Sequence, residues 1–509
     1  MSVRSFYWVL LIGLSLTLLF QWTAEKREET VNKHLLSALS SDFVLGDDFV
    51  SIESDELLVV ISVSTGNIVE SRLKKYPVEN VEGSLGYRVF GESKESAFSY
   101  YFKSGFTKTA PVYSISDVGV DYLVLSDAAL GLVKKISFGS SAYELSIYDE
   151  SLVGVDGKIF AGLYRTDGKA LDLKRDALDG GMMNNSSYEG VAISSEKDPY
   201  DSLRLSRIDD PKEVLTRSGW IAFVQKYFFA ALIGSDEYIY NYYVLPKKSG
   251  VYRMGYTVEN GSSSNVSTSH EHRLFVGPKI RKDLMQRAEN LELSIDMGWF
   301  WFLAQPMVLV MDWINGYVNN WGLTIVVFTI MIKLLFWPVT AKSFRSMAAM
   351  RKITPELNEV KEIYKDDRQK QANETMKLMK KHGANPLGGC LPLLIQMPFF
   401  IGFFFALREM VELRHSELGF WADLSAPDPY FVLPALFCVV MILTQRLNPQ
   451  PAGMDPTQAQ VMKYMPVMFS VLFILFPAAL CLYTVVNSAI QLAQQSYLYK
   501  KLGALEGAK

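Results

Sequence analysis

Apolar positions follow two different rules along the chain. Over 24–295 they alternate with polar ones: Leu57, Val59, Ile61 and Val63 share a face ahead of the Thr65-Gly66-Asn67 turn, and 122–125 and 133–138 keep the same period of two. Turn residues recur between these short runs, so the region reads as antiparallel strands forming an all-β sandwich. From 321 onward the apolar residues run together instead. Segment 321–341 contains one charge, Lys333; 388–407 contains none; 430–445 is shorter and also uncharged. Crossing ~30 Å of hydrocarbon takes ~20 predominantly apolar residues, so each reads as a spanning helix. Segment 464–499 is divided by Pro477 into an apolar half and a half that turns polar at Asn487, Gln491, Gln494 and Gln495, and by pattern alone is one helix or two. At the N-terminus, 6–22 is apolar between Arg4 and the charged run 25–29. Its exit lacks the small-x-small residues of a cleavage site, which favours an uncleaved anchor over a signal peptide.

Loop charge sets the orientation, because short cytoplasmic loops collect Lys and Arg. Loop 342–387 holds eleven of them and is expected inside, while 408–429 holds only Arg408 and Arg414 against five acids and is expected outside. Lys463, Lys500 and Lys501 place both ends of 464–499 inside, so that segment must cross twice, with a break near Pro477. The count is then six crossings. The expected organisation is an anchor at 1–23, an outer β-sandwich domain at 24–295, an interfacial helix at 296–320, a span at 321–341, a cytoplasmic helical hairpin at 342–387, four spans within 388–500 and a short cytoplasmic tail at 501–509.

Composition removes several function classes. A net charge of −3 from 51 basic and 54 acidic residues supplies no global field for nucleic acid. Cys390, Cys438 and Cys481 all lie in apolar runs, which excludes a disulfide framework and a cysteine metal site. No cofactor is expected. In the outer domain, Trp220 and Tyr227 could stack on a sugar, but 219–232 reads better as a buried strand pair, and no carboxylate pair stands at glycosidase spacing. His270 and His272 are expected at the surface, since no third metal ligand is evident. In 297–318, Trp299, Trp301, Trp313 and Tyr317 favour the membrane interface, where Pro306 and Asp312 suit an amphipathic helix on the outer leaflet better than a span.

Lys333 carries the strongest functional signal. If 321–341 is one helix, Lys333 lies ~12 Å inside the hydrocarbon, where a lysine costs ~2.5–3.5 kcal/mol. It must face water or a partner unless it snorkels to the cytoplasmic interface. Thr329 lies on its face four residues earlier, Gln396 sits near the centre of the next span, and Asn487 and Ser488 interrupt the last. Such a set lines a hydrated cavity. With no acid in any span, a proton or ion pump lacks its relay, and an unpaired cation in a wet groove attracts anions and polar protein segments. The loop beyond it reads as two helices, 343–364 and 368–381, packing through Met347, Met350, Met376 and Met379, with basic residues outward for anionic lipid or a ribosome.

The run Asn385-Pro386-Leu387-Gly388-Gly389-Cys390-Leu391-Pro392-Leu393-Leu394-Ile395-Gln396-Met397-Pro398, with Asp428-Pro429-Tyr430 and Phe476-Pro477 followed by Leu482-Tyr483, resembles the YidC/Oxa1/Alb3 insertase family. The resemblance covers 297–500 as the core and, with anchor and outer domain, the Gram-negative form. It implies a β-supersandwich in the periplasm, a helical membrane core enclosing a groove open to cytoplasm and lipid, and a location in the bacterial inner membrane with both termini cytoplasmic. It implies partition rather than bond chemistry, hence no enzyme activity; its partners are nascent membrane proteins, membrane lipids, the Sec translocon and the ribosome. On this resemblance Lys333, Thr329, Gln396, Tyr483, Thr484 and Asn487 form the substrate groove. Lys333 stands where the family usually has arginine, keeping the charge but losing the planar fork, and Thr484 stands where a second tyrosine is common. The rivals are a small-molecule transporter using the same cavity, for which inverted repeats are missing, and an anchored sugar-processing enzyme, for which five further spans are superfluous.

Overall fold

The structure, a computed structural model, describes residues 48–503 except 79, 81–83, 92–97, 140, 154–157, 168–189, 206–207, 249–250, 259–266, 366, 383–390 and 448–455. The anchor expected at 6–22 and the start of the Asn385 motif lie outside the described residues.

The alternating region forms two nine-stranded antiparallel sheets. One runs from Phe49–Glu53 at its edge through Leu57–Ser62, Ile68–Pro77, Phe98–Phe106, Ile159–Asp167, Val251–Val258 and Ile239–Lys248 to Lys212–Arg217, with Gly86–Phe90 added on Ile68–Pro77. The other runs from Asp201–Arg204 through Gly190–Ser194, Trp220–Val224, Phe228–Ile233, Thr268–Pro278, Glu144–Ser151, Leu132–Phe138 and Tyr122–Asp127 to Ser114–Val118. Leu57, Val59 and Ile61 are fully buried, as their spacing predicts. Trp220–Val224 and Phe228–Ile233 are buried at every position, so the aromatics there fill the core; the Trp220 indole donates to the Glu289 carbonyl at 3.1 Å.

The expectation for the histidines is overturned. His270 and His272 are buried, 2% and 0% exposed. Across three neighbouring strands Lys134 lies opposite Asp149 and Asp149 opposite His270, so their side chains share one face. Lys134 Nζ stands 3.0 Å from an Asp149 oxygen and 2.7 Å from Ser104 Oγ of the other sheet. His272 Nε2 is 3.2 Å from Asp149, while its Nδ1 meets the Tyr256 hydroxyl at 2.8 Å. A charged network thus bridges the two sheets; the Asp149 carboxylate draws His272 inward, and the His270 ring packs on that of His272 at 4.8 Å.

The C-terminal part is helical: α1 Trp301–Val318, α2 Trp321–Leu335, α3 Trp337–Ile363, α4 Arg368–Lys381, α5 Leu391–Glu409, α6 Val432–Leu447, α7 Pro456–Phe473 and α8 Ala478–Lys501. Among the described residues no single helix is long and apolar enough to cross a membrane; α2 and α3 together are, bent by 65°. That bend corrects the single helix expected over 321–341. Pro338 would clash with the Leu334 carbonyl in a continuous helix, but in the first turn of a new one its missing N–H costs nothing. The first hairpin helix accordingly starts at Trp337, not at 343. The chain also breaks at Pro477, where the Ala478 and Ala479 amides donate to the carbonyls of Ala426 and Leu424 at 2.7 and 2.9 Å. Asp428 holds this loop by accepting from the Leu433 amide at 2.7 Å and the Trp421 indole at 2.9 Å.

In the hairpin, Asp367 caps α4 by accepting from the Lys370 amide. Met350 and Met379 pack with Ile353, Leu357 and Leu378, whereas Met347 turns to Tyr499 of α8 and Met376 is exposed. The expected four-methionine seam is therefore half the size. The outer domain is tied to loop 410–424: Arg414 lies over the rings of Tyr87 and Phe228 and donates to the Val78 carbonyl at 3.1 Å, and Asn80 donates to the Ala422 carbonyl at 3.1 Å. Lys279 and Glu409 form a buried ion pair at 3.3 Å across the same seam.

Candidate functional site

Helix α2 starts from Asn320, whose side chain accepts from the Leu323 amide. Gly322 lets the first turn approach Leu418, where a Cβ would stand 2.7 Å from that side chain. Ile325, Thr329 and Lys333 follow at intervals of four and face inward, while Leu323, Val327, Ile330 and Leu334 are exposed. On the inward side an aromatic layer comes first: Phe328 stacks on Phe403 at 5.2 Å, and Phe403 meets Tyr483 of α8 at 4.4 Å.

A polar layer begins beside these rings. The Tyr483 hydroxyl accepts from Gln396 Nε2 at 2.8 Å, and Lys333 Nζ donates to Gln396 Oε1 and to Gln491 Oε1, both at 3.4 Å. Lys333 is only 5% exposed, yet among the described residues no carboxylate pairs with it. Two amide dipoles from two other helices satisfy part of its donor capacity, and weakly at that length. Three helices thus meet around one cation.

Of the residues singled out from sequence, Lys333, Gln396 and Tyr483 form one hydrogen-bonded chain. Thr329 and Thr484 are buried but donate to carbonyls of their own helices, Ile325 at 2.6 Å and Cys481 at 2.8 Å. Asn487 is half-buried and makes no side-chain hydrogen bond among the described residues. Gln491, read from the sequence only as a polar position, lies four residues after Asn487 and eight after Tyr483, which puts all three on one face of α8. Gln494, read the same way, donates to Thr340 Oγ1 at 2.7 Å and fastens the start of α3 to α8. The break at Phe336 leaves Lys333 within the last turn of α2 rather than in the middle of a longer helix, beside Phe336 packed edge-on to Phe399 at 4.9 Å.

The family model described as 60Kd inner membrane protein matches residues 313–504, and the model described as YidC periplasmic domain matches 123–310. The chain is 36% identical to the membrane protein insertase YidC of Hahella chejuensis, over 94% of this chain and 86% of that one. It is 35% identical to the YidC of Azotobacter vinelandii, over 90% and 85%. A solved structure titled as an active YidC insertase with the first transmembrane domain resolved aligns with a TM-score of 0.42 and 19% identity, over 88% of this chain and 92% of that one. With more than a third of its residues identical across nearly its whole length and both family models matched in order, the chain belongs to the YidC membrane protein insertase family.

Proposed function

We propose that the chain is an inner-membrane insertase whose groove is the polar layer around Lys333. One observation carries the reading: a buried cation held by nothing stronger than glutamine oxygens. A hydrophilic segment crossing a bilayer unaided sheds water at several kcal/mol per unsatisfied group. A polar groove shortens the dry path, and a cation without a carboxylate partner is free to receive the acidic or carbonyl groups of the arriving segment. Lys333, Gln396, Tyr483 and Asn487 meet that segment, with Thr329 and Thr484 on the adjoining faces, while the apolar part of the substrate leaves along the exposed residues of α5 and α7. The chain crosses the membrane six times, with 6–22, α2 continued into the start of α3, α5, α6, α7 and α8 as the crossings and both termini in the cytoplasm. The substrates are nascent membrane proteins, handled alone or delivered by the Sec translocon; the basic hairpin α3–α4 meets the ribosome or anionic lipid. Apolar transfer and the membrane potential drive the process.

The test is charge at position 333. Lys333→Arg should preserve insertion, Lys333→Ala should impair it, and Lys333→Glu should impair it most for substrates with acidic translocated segments, where attraction turns to repulsion. Insertion of one acidic and one neutral single-span substrate, at matched abundance of each variant, reads this out. Equal insertion of both substrates by Lys333→Ala and the parent would remove the lysine from the mechanism.

A further inference from the structure

A cavity of about 240 Å³ opens where the end of the outer domain, α1 and the outer end of α5 meet. Its lining divides into three chemistries. Met297, Val308, Ala406 and Met410 give it an apolar wall. Arg281 and Lys282 supply two cations, and neither has an ion pair among the described residues. Asp312 and Glu412 supply two carboxylates, with no ion pair at contact distance among the described residues, although Arg281 and Lys282 attract Asp312 across the cavity. The lysine of the buried Lys279–Glu409 pair is already engaged and closes the floor.

We infer that this cavity binds the headgroup of an aminophospholipid of the outer leaflet, the phosphate against Arg281 and Lys282 and the primary ammonium against Asp312 and Glu412. The inference rests on the topology proposed above, which sets α1 at the outer interface with Trp299, Trp301, Trp313 and Tyr317 exposed. An amphiphile with both charges fits a site with both countercharges beside an apolar wall. A purely anionic headgroup meets the two carboxylates unfavourably. A choline headgroup cannot donate a hydrogen bond to them, and no aromatic ring lines the cavity to stack on its quaternary nitrogen. A metal ion lacks its donors, since no group of three or more His, Cys, Asp or Glu stands at ligating distance among the described residues. Burial, then the neighbouring Asp312 and Asp283, push the Glu412 carboxyl up to about 7.

The full chain, purified and exposed to phosphatidylethanolamine, phosphatidylglycerol and phosphatidylcholine in turn, should retain phosphatidylethanolamine preferentially when retained lipid is counted by native mass spectrometry. Asp312→Asn and Glu412→Gln should each weaken that retention about tenfold, as expected for a lost charged hydrogen bond, and raise retention of phosphatidylglycerol by removing a repelling charge. Arg281→Gln with Lys282→Gln should weaken both lipids. Equal retention of the three lipids by the parent, or an unchanged preference in both carboxylate variants, overturns the site. Full competition by soluble glycerophosphoethanolamine overturns the lipid as its occupant. Quenching of tryptophan fluorescence by lipids brominated in the acyl chain checks the interfacial placement separately. Quenching without a headgroup preference sinks the site and leaves the topology standing, whereas absence of quenching sinks both.

Discussion

Two of the buried lysines, Lys134 and Lys333, are treated in opposite ways. Lys134, fully buried between the sheets, has a carboxylate at 3.0 Å, a serine hydroxyl at 2.7 Å and the Ser104 carbonyl at 3.0 Å. Lys333, nearly as buried among helices, has two glutamine oxygens at 3.4 Å. Taking a charge out of water costs several kcal/mol, and only close, opposite, hydrogen-bonded partners offset it. The outer domain supplies those partners in full, so its lysine is committed to holding two sheets together. The helical region leaves its lysine under-satisfied, which a purely structural role would not require.

The sharpest way to break this contrast is to remove one partner on each side. Asp149→Ala leaves Lys134 charged and unpaired in the sandwich core and should cost about 3–5 kcal/mol, seen as loss of the sheet signal at lower denaturant in the full chain. Lys333→Met removes a cation that no carboxylate compensates and should leave the denaturation midpoint of the helical region unchanged or raised. A large loss of stability from Lys333→Met would show that its amide contacts are as binding as the Asp149 pair, and the contrast would fail.

Acid should separate the regions next. Burial and then His272 push His270 down to about 3, and burial holds His272 below its ordinary value. Between pH ~6.5 and ~3 the unfolded chain therefore binds protons that the folded domain refuses. Stability is complete above ~6.5 and falls as pH drops, by up to ~1.4 kcal/mol per unit for His270, with His272 acting in the same direction. His270→Phe, which keeps a ring among Tyr238, Tyr240 and Tyr256, should flatten the slope of sheet unfolding against pH. A slope unaffected by this substitution would assign the acid sensitivity elsewhere.

The smallest effect concerns the join. Arg414→Met should cost ~1–2 kcal/mol by removing the guanidinium from Tyr87 and Phe228 and its bond to Val78. Protease access to loop 410–424 should rise while unfolding of the sandwich stays in place. Unchanged cleavage would mean that the Asn80 and Lys279 contacts hold the seam without it.

Much of this architecture could be read from local pattern. The period of two placed Leu57, Val59 and Ile61 inside, Pro477 marked a helix break, and the turn before Asp367 marked the hairpin. What escaped depended on partners distant in sequence or on continuous hydropathy. Lys134, Asp149 and His272 meet only because three strands align in register, and no local rule brings a histidine inward toward a carboxylate it cannot see. The break at Phe336 was hidden because apolar residues continue across it, even though Pro338 carried the signal. At the candidate site, Lys333 and Gln396 stood out as polar groups in apolar runs, whereas Gln491 was lost among the other glutamines of a half-polar helix.

The break at Phe336 also gives the molecule a lever. Helix α3, with 27 residues and hence ~40 Å of length, pivots three residues beyond Lys333 and carries the hairpin at its far end. Each degree of rotation at that fulcrum displaces the tip by ~0.7 Å on an arm of that length. The near end is clamped: Ala341, Phe344 and Ala348 pack on Leu498 and Tyr499, Gln494 grips Thr340, and Arg351 donates to the Leu447 carbonyl at 3.0 Å. A load on the hairpin is therefore delivered as torque to α8, the helix that presents Tyr483, Asn487 and Gln491 to the lysine, rather than spent in bending the pivot alone.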